Sequence, residues 1–150
     1  MRFKSVIAAA AAAVIAFSSV SAFAAAETII INGEAASIPA EMGSIKEMDD
    51  RTFVPIRFVM EHLGCSVNYI DAEKSALITS SDCAYIAQEG SRKLFVVLYN
   101  EPDTPPVEMD TAAFIDEAEG RMYIPIRFLA EAIGYTVGWD EETQTVTLNK

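Results

Sequence analysis

Apolar positions along the chain change period several times, and each change predicts an element. Ile56, Val59, Met60 and Leu63 fall at i, i+3, i+4 and i+7, and Ile126, Leu129, Ala130 and Ile133 repeat that spacing, which marks two short amphipathic helices. Pro55 and Pro125 lie at the first turn, where the missing N–H costs nothing. Gly64 and Gly134 follow the last turn, where a left-handed residue can close a helix. The helices are therefore expected over about 55–63 and about 125–133.

After each glycine the period falls to two. Val67 and Tyr69, then Ala76 and Ile78, give one hairpin with one apolar face; Val137 and Trp139, then Val146 and Leu148, give another. Asp71-Ala-Glu-Lys74 and Asp140-Glu-Glu-Thr143 are polar connections that suit the turns between them. Cys83 to Gln88 and Leu94 to Tyr99 read as further strands, and the unbroken apolar run of the second predicts cover on both faces. Thr28 to Ile31, ahead of Asn32-Gly33, reads as one more. Glu101-Pro-Asp-Thr-Pro-Pro-Val107 is too short to link independent domains and is expected to be an irregular connection. Strands with two short helices in this order predict an α+β fold, mainly an antiparallel sheet.

The two helix-hairpin patterns are one pattern written twice. Phe53-Val-Pro-Ile-Arg-Phe-Val-Met-Glu-His-Leu-Gly-Cys-Ser-Val-Asn-Tyr69 recurs seventy residues later as Tyr123-Ile-Pro-Ile-Arg-Phe-Leu-Ala-Glu-Ala-Ile-Gly-Tyr-Thr-Val-Gly-Trp139. Seven of the seventeen aligned pairs are identical, and they keep Pro, Arg, Glu and Gly, so the repeat preserves a helix with its start and stop. Two pseudo-repeats, about 27–80 and about 81–150, are expected to complete one core, because half of this chain buries too little surface to fold alone.

Residues 1 to about 26 read as a secretory signal: Arg2 and Lys4, an apolar stretch from Val6 to Val20, and the small-residue frames Ala22-Phe23-Ala24 and Ala24-Ala25-Ala26. The expectation is a cleaved, exported protein, extracellular or in the cell wall, with no membrane span afterwards. The formal charge is −11, and loss of Arg2 and Lys4 with no acid takes it to −13. Such a chain repels nucleic acid and anionic membranes. Cys65 and Cys83 are the only cysteines. Bridged, they would close a loop of roughly 20 residues, stabilising by about 3 kcal/mol through loop entropy; the alternative is two free, partly buried thiols.

Candidate chemistry is sparse. Arg57 with Glu61 and Arg127 with Glu131 recur at i, i+4, a pairing that contributes only about 0.2–0.5 kcal/mol. The arginines are therefore expected to be structural, reaching carbonyls or acids where the halves join, with an anion-binding or substrate role as the alternative. Phe58 and Phe128 lie nearly opposite the apolar stripe of their helices; each either packs against a covering element or forms a partner face, to which Trp139 is a further candidate. The acid clusters around Asp49, Asp116 and Asp140 lack calcium-loop spacing. No nucleophile elbow, metalloprotease motif or phosphate loop occurs in the sequence, so the expectation is a protein that is not an enzyme and carries no cofactor.

The doubled Val/Ile-Pro-Ile-Arg-Phe run with its Glu, Gly and aromatic, preceded by Asp50-Arg51 and Gly120-Arg121, resembles the copper amine oxidase N-terminal-like domain, or stalk domain. The resemblance implies an antiparallel sheet twisted around a helix, spanning 27–150 as one domain, in secreted and envelope proteins of bacteria. It implies no copper chemistry here, since oxidase activity in those proteins belongs to a separate domain with three His ligands and this chain has His62 alone. Asn100-Glu101 replaces the family's Asn-Gly, and Ile70 replaces an acid retained as Asp140. The expected function is a stalk-like binding or spacer module at the bacterial surface, its partner a wall polysaccharide or an extracellular protein. Self-association as an envelope structural protein is the alternative, and a small extracellular enzyme, for which the needed residues are missing, comes last.

Overall fold

The computed structural model describes residues 28–140, 142–143 and 145–150; the expected signal segment lies outside them. The described residues form thirteen strands and two α-helices. The strands are Thr28–Ile31 (β1), Glu34–Ser37 (β2), Lys46–Met48 (β3), Arg51–Pro55 (β4), Ser66–Ile70 (β5), Ser75–Thr79 (β6), Cys83–Gln88 (β7), Lys93–Leu98 (β8), Val107–Glu108 (β9), Phe114–Asp116 (β10), Arg121–Pro125 (β11), Thr136–Asp140 (β12) and Thr145–Asn149 (β13). The helices are Ile56–His62 (α1) and Ile126–Ala132 (α2). The molecule is α+β and mostly antiparallel, as the apolar pattern predicts, with one parallel pairing between β1 and β13.

Each helix is shorter than its periodicity suggests. Pro55 and Pro125 keep extended ψ angles of 123° and 124° and end a strand, so helical geometry begins one residue later. At the other end Gly64, at φ +89°, donates its N–H to the Glu61 carbonyl, and Cys65 donates to that of Met60, which closes α1. Gly134 and Tyr135 do the same for α2 on Glu131 and Ala130.

Three sheets run in the orders β12-β13-β1-β2, β10-β11-β4-β3 and β5-β6-β7-β8-β9. β4 and β11 pair antiparallel at the centre, Ile124 opposite Val54. They therefore point in opposite directions, and the helix that follows each leaves from the opposite end of the pair. The hairpin after α1 joins the five-stranded sheet, and the hairpin after α2 joins the sheet that holds β1 and β2. Every boundary of β4, α1, β5 and β6 stands seventy residues before that of β11, α2, β12 and β13. Val54, Ile56, Val59, Met60, Ile124, Ile126, Leu129 and Ala130 are buried at this junction. Burying each of these side chains other than Ala130 contributes roughly 1.5–3 kcal/mol, so the helices are held by packing on both halves rather than by their own short length.

The strands β2, β3, β9 and β10 have two to four residues each and carry too little periodicity to be read from the sequence. A second departure concerns β8. Leu94 and Val96 face the core, but Phe95 is 42% exposed, so the expected cover on both faces is absent from one.

Candidate functional site

A cleft of about 1020 Å³ opens between the β3-β4 hairpin, the start of α2 and the β12-β13 hairpin. Its first wall is set by a tight turn. Met48 pairs with Arg51, leaving a two-residue loop, Asp49-Asp50, with both residues left-handed at φ 51° and 60°, the geometry that matches hairpin twist. The turn places the Arg51 guanidinium on Asp110: Nε donates to Oδ1 at 2.8 Å and Nη2 to Oδ2 at 2.6 Å, while Nη1 donates to the Asp49 carbonyl at 2.7 Å. This fork holds the Asp110 carboxyl below the usual carboxylate range and raises Arg51 in turn. The positive charge of Arg127 favours the same ionised Asp110.

The second wall carries Arg127, Phe128, Val137 and Trp139. Comparison with the first half shows what is unusual about it. Arg57 lies 4.7 Å from the centroid of the Tyr69 ring, donates Nη2 to the Val67 carbonyl at 3.2 Å, and holds Nε 3.6 Å from Glu61, an ion pair too long for a hydrogen bond. Its site is filled by its own neighbours. Arg127, Glu131, Val137 and Trp139 occupy the positions seventy residues on, yet Arg127 is exposed and makes no hydrogen bond or ion pair with a described residue. Trp139 is 42% exposed, on an edge strand. The cleft is thus lined by Trp139, the exposed Arg127, the Arg51-Asp110 fork, Asp49 and Asp50. Flat apolar rings beside planar polar groups suit a ligand with one apolar and one hydroxylated face.

The remaining sequence candidates are dispersed. Phe58 is only 7% exposed and stacks on His62 at 5.8 Å, so it offers no partner face. Phe128 is half-buried against the core and reaches the cleft. His62 is exposed beside Phe58. Cys65 and Cys83 are both free thiols. The register Ser66-Thr79-Ala84 places the end of β6 between the strand that follows Cys65 and the strand that Cys83 opens, and burial first, then the nearby Cys83, raises the Cys65 thiol. Cys83 instead lies 3.1 Å from the Tyr85 hydroxyl, and burial first, then this contact, pushes the phenol's pKa up. Asp116 spends Oδ1 on the N–H groups of Ala118 and Glu119, a turn rather than an ion loop. Among the described residues no group of three His, Cys, Asp or Glu side chains is placed to hold a metal, and no helix is long and apolar enough to cross a membrane.

Sequence reasoning picked out Trp139, Phe128 and Arg127 singly but did not bring them to one place, and it missed Arg51 with Asp110. The available signal was Asp50-Arg51 itself, which stands before one repeat as Gly120-Arg121 stands before the other. A family model described as copper amine oxidase N-terminal domain matches residues 25–148. No curated protein and no solved structure matches the chain.

Proposed function

The chain belongs to the copper amine oxidase N-terminal domain family, a non-catalytic domain, and on that premise we propose that it is a secreted, stalk-like module that binds wall polysaccharide at the bacterial surface through the Trp139 cleft. The observation that carries this reading is the contrast between halves: the Arg57–Tyr69 position is closed on itself, whereas Arg127 and Trp139 are exposed and, among the described residues, Arg127 has no hydrogen-bond or ion-pair partner. Trp139 stands 42% exposed at a strand end in the cleft that Arg127 also lines, apolar surface that a stacked sugar ring would cover. We further read the halves as a duplicated unit about a local two-fold axis. The common offset of seventy residues and the pairing of Val54 with Ile124 support this.

Export is supported by the pattern of residues 1 to about 26, and host fractionation with detection of the cleaved mass tests it. Trp139 is the only tryptophan, so its emission reports on the cleft alone. Titration with soluble wall-polysaccharide fragments is expected to shift or quench that emission saturably. In a pull-down on the insoluble polymer, Trp139→Ala weakens retention about tenfold, near 1.4 kcal/mol, and Arg127→Ala weakens it by a smaller factor. A folded protein with no retention and no change in emission overturns the polysaccharide reading.

A further inference from the structure

A second cavity, of about 320 Å³, opens between the turn that joins β5 to β6 and the turn that joins β10 to β11. Tyr69, Glu117, Gly120 and Met122 line it, and they stand seventy positions from Trp139, Glu47, Asp50 and Thr52 of the Trp139 cleft. The cavity thus holds in one half the place that the cleft holds in the other. Three repeat positions make it the more apolar of the two: Ile70 stands for Asp140, Gly120 for Asp50 and Met122 for Thr52. Ser75 also lines the cavity, opposite Ile70 in the hairpin register. It is 3% exposed, and its Oγ has no hydrogen-bond partner among the described residues. Seventy residues on, Thr145 donates its hydroxyl to the Thr143 carbonyl at 3.1 Å. A buried hydroxyl without a partner is destabilising, so the first half keeps at this point a polar group that the fold itself does not use.

We propose that this cavity is a second sugar subsite, which takes the acetamido group of an N-acetylated hexosamine unit. It rests on the polysaccharide reading above and names the kind of sugar. The methyl of the group packs on Ile70, Ile115 and Met122, and its carbonyl accepts the Ser75 hydroxyl. Ile70 is 39% exposed in the empty site, apolar surface that the methyl covers. Gly120 has nothing within 4 Å of where a Cβ would stand, so the turn leaves the entrance open. An unsubstituted hexose would bring several hydroxyls to walls that are mainly apolar, and each one left unpaired opposes binding. An acidic sugar is disfavoured too: Asp71 and Glu117 are exposed at the mouth, and Lys74 is engaged 3.5 Å from Glu89. The volume lies at the lower end of the range for ligand pockets, which suits one substituted sugar unit rather than a longer stretch of polymer.

Titration of the ¹⁵N-labelled protein with the N-acetylglucosamine disaccharide, followed by NMR, is the test, with a glucose disaccharide as control. The backbone N–H groups of Ser75 and Gly120 report on the cavity, and those of Gly138 and Trp139 report on the cleft. The expected result is saturable shifts at Ser75 and Gly120 with the acetylated sugar, and an affinity about tenfold weaker for glucose. Ser75→Ala is expected to weaken the acetylated sugar about fivefold to tenfold while the thermal midpoint of the free protein does not fall, since an unpaired hydroxyl is removed. Shifts at the cleft alone overturn the second subsite and leave the polysaccharide reading standing; shifts at the cavity alone uphold the subsite and overturn the role of Trp139. No shift at either place through about 20 mM overturns both. Equal response to the two sugars, or an undiminished response from Ser75→Ala, overturns the acetamido assignment. A lowered midpoint in that variant does so as well, because the hydroxyl would then serve the fold.

Discussion

Gly43 concentrates two demands on one residue. Its φ is +107°, and a Cβ there would stand 2.5 Å from the Tyr123 hydroxyl and 3.3 Å from both Arg121 Cδ and Pro55 Cγ. Those atoms belong to the central strands β4 and β11, so the side chain has no open direction. Gly64, at φ +89°, meets nothing within 4 Å and answers only for its backbone. Gly64→Ala is therefore expected to cost about 1 kcal/mol, the left-handed penalty alone. Gly43→Ala adds displacement of a buried tyrosine and is expected to cost about 2–4 kcal/mol. Urea unfolding of both variants checks the comparison, and equal losses would show that the Tyr123 hydroxyl yields without cost. Sequence reading could find Gly64, because it ends an apolar period. It could not find Gly43, whose constraint comes from a strand eighty residues away.

At the scale of elements, the hairpin between β3 and β4 runs against local preference. Two-residue hairpin turns favour Asn-Gly, as Asn32-Gly33 between β1 and β2 illustrates, whereas this one places Asp49 and Asp50 in the left-handed region. Asp50→Gly is accordingly expected to stabilise the protein by about 0.5–1 kcal/mol, measured as an upward shift in the thermal midpoint. If the carboxylate belongs to the binding cleft, the same variant weakens polysaccharide retention; gain of stability with retention unchanged would remove Asp50 from the site. This turn also shows why legibility was uneven. The helices announced themselves by period, proline and glycine. The turn at Asn32-Gly33 was visible, but Glu34-Ala-Ala-Ser37 has little strand character and forms β2 only because β1 offers a ladder. Likewise β3 and β10 are edges held by β4 and β11. The cleft was unreadable for a similar reason: its parts come from segments as far apart as Asp49 and Trp139, joined by tertiary pairing alone.

In the molecule as a whole, the edge strands of the central sheet are tied across it by charge. Lys46 on β3 reaches Asp116 on β10 at 3.1 Å and Glu119 at 3.0 Å, passing 4.9 Å from the centroid of the Tyr123 ring. Tyr123 donates its hydroxyl to Glu119 and accepts the Ser44 N–H at 3.2 Å. Burial alone would lower Lys46, but its bonds to Glu119 and Asp116 prevail and raise it. Asp116 is lowered chiefly by Lys46, and Glu119 by Tyr123 and then Lys46. A lowered carboxylate stabilises the fold above its ordinary pKa, 4.5 for Glu119 and 3.8 for Asp116, and that contribution is lost as pH falls through the depressed value. A raised lysine contributes below its ordinary 10.5 and loses the contribution as pH rises past the folded value. The net charge of −11 works in the opposite sense, since protonating acids relieves repulsion on acidification. The two effects separate in a difference between proteins. Lys46→Met is expected to be less stable than the parent at about pH 7, with a gap that holds down to the ordinary carboxylate range and closes below it, toward about pH 3. General repulsion is nearly the same in both proteins and cancels. A gap unchanged between those pH values would mean that Lys46 acts by covering the Tyr123 ring with its stem, and that the edges of the sheet are joined by packing rather than by charge.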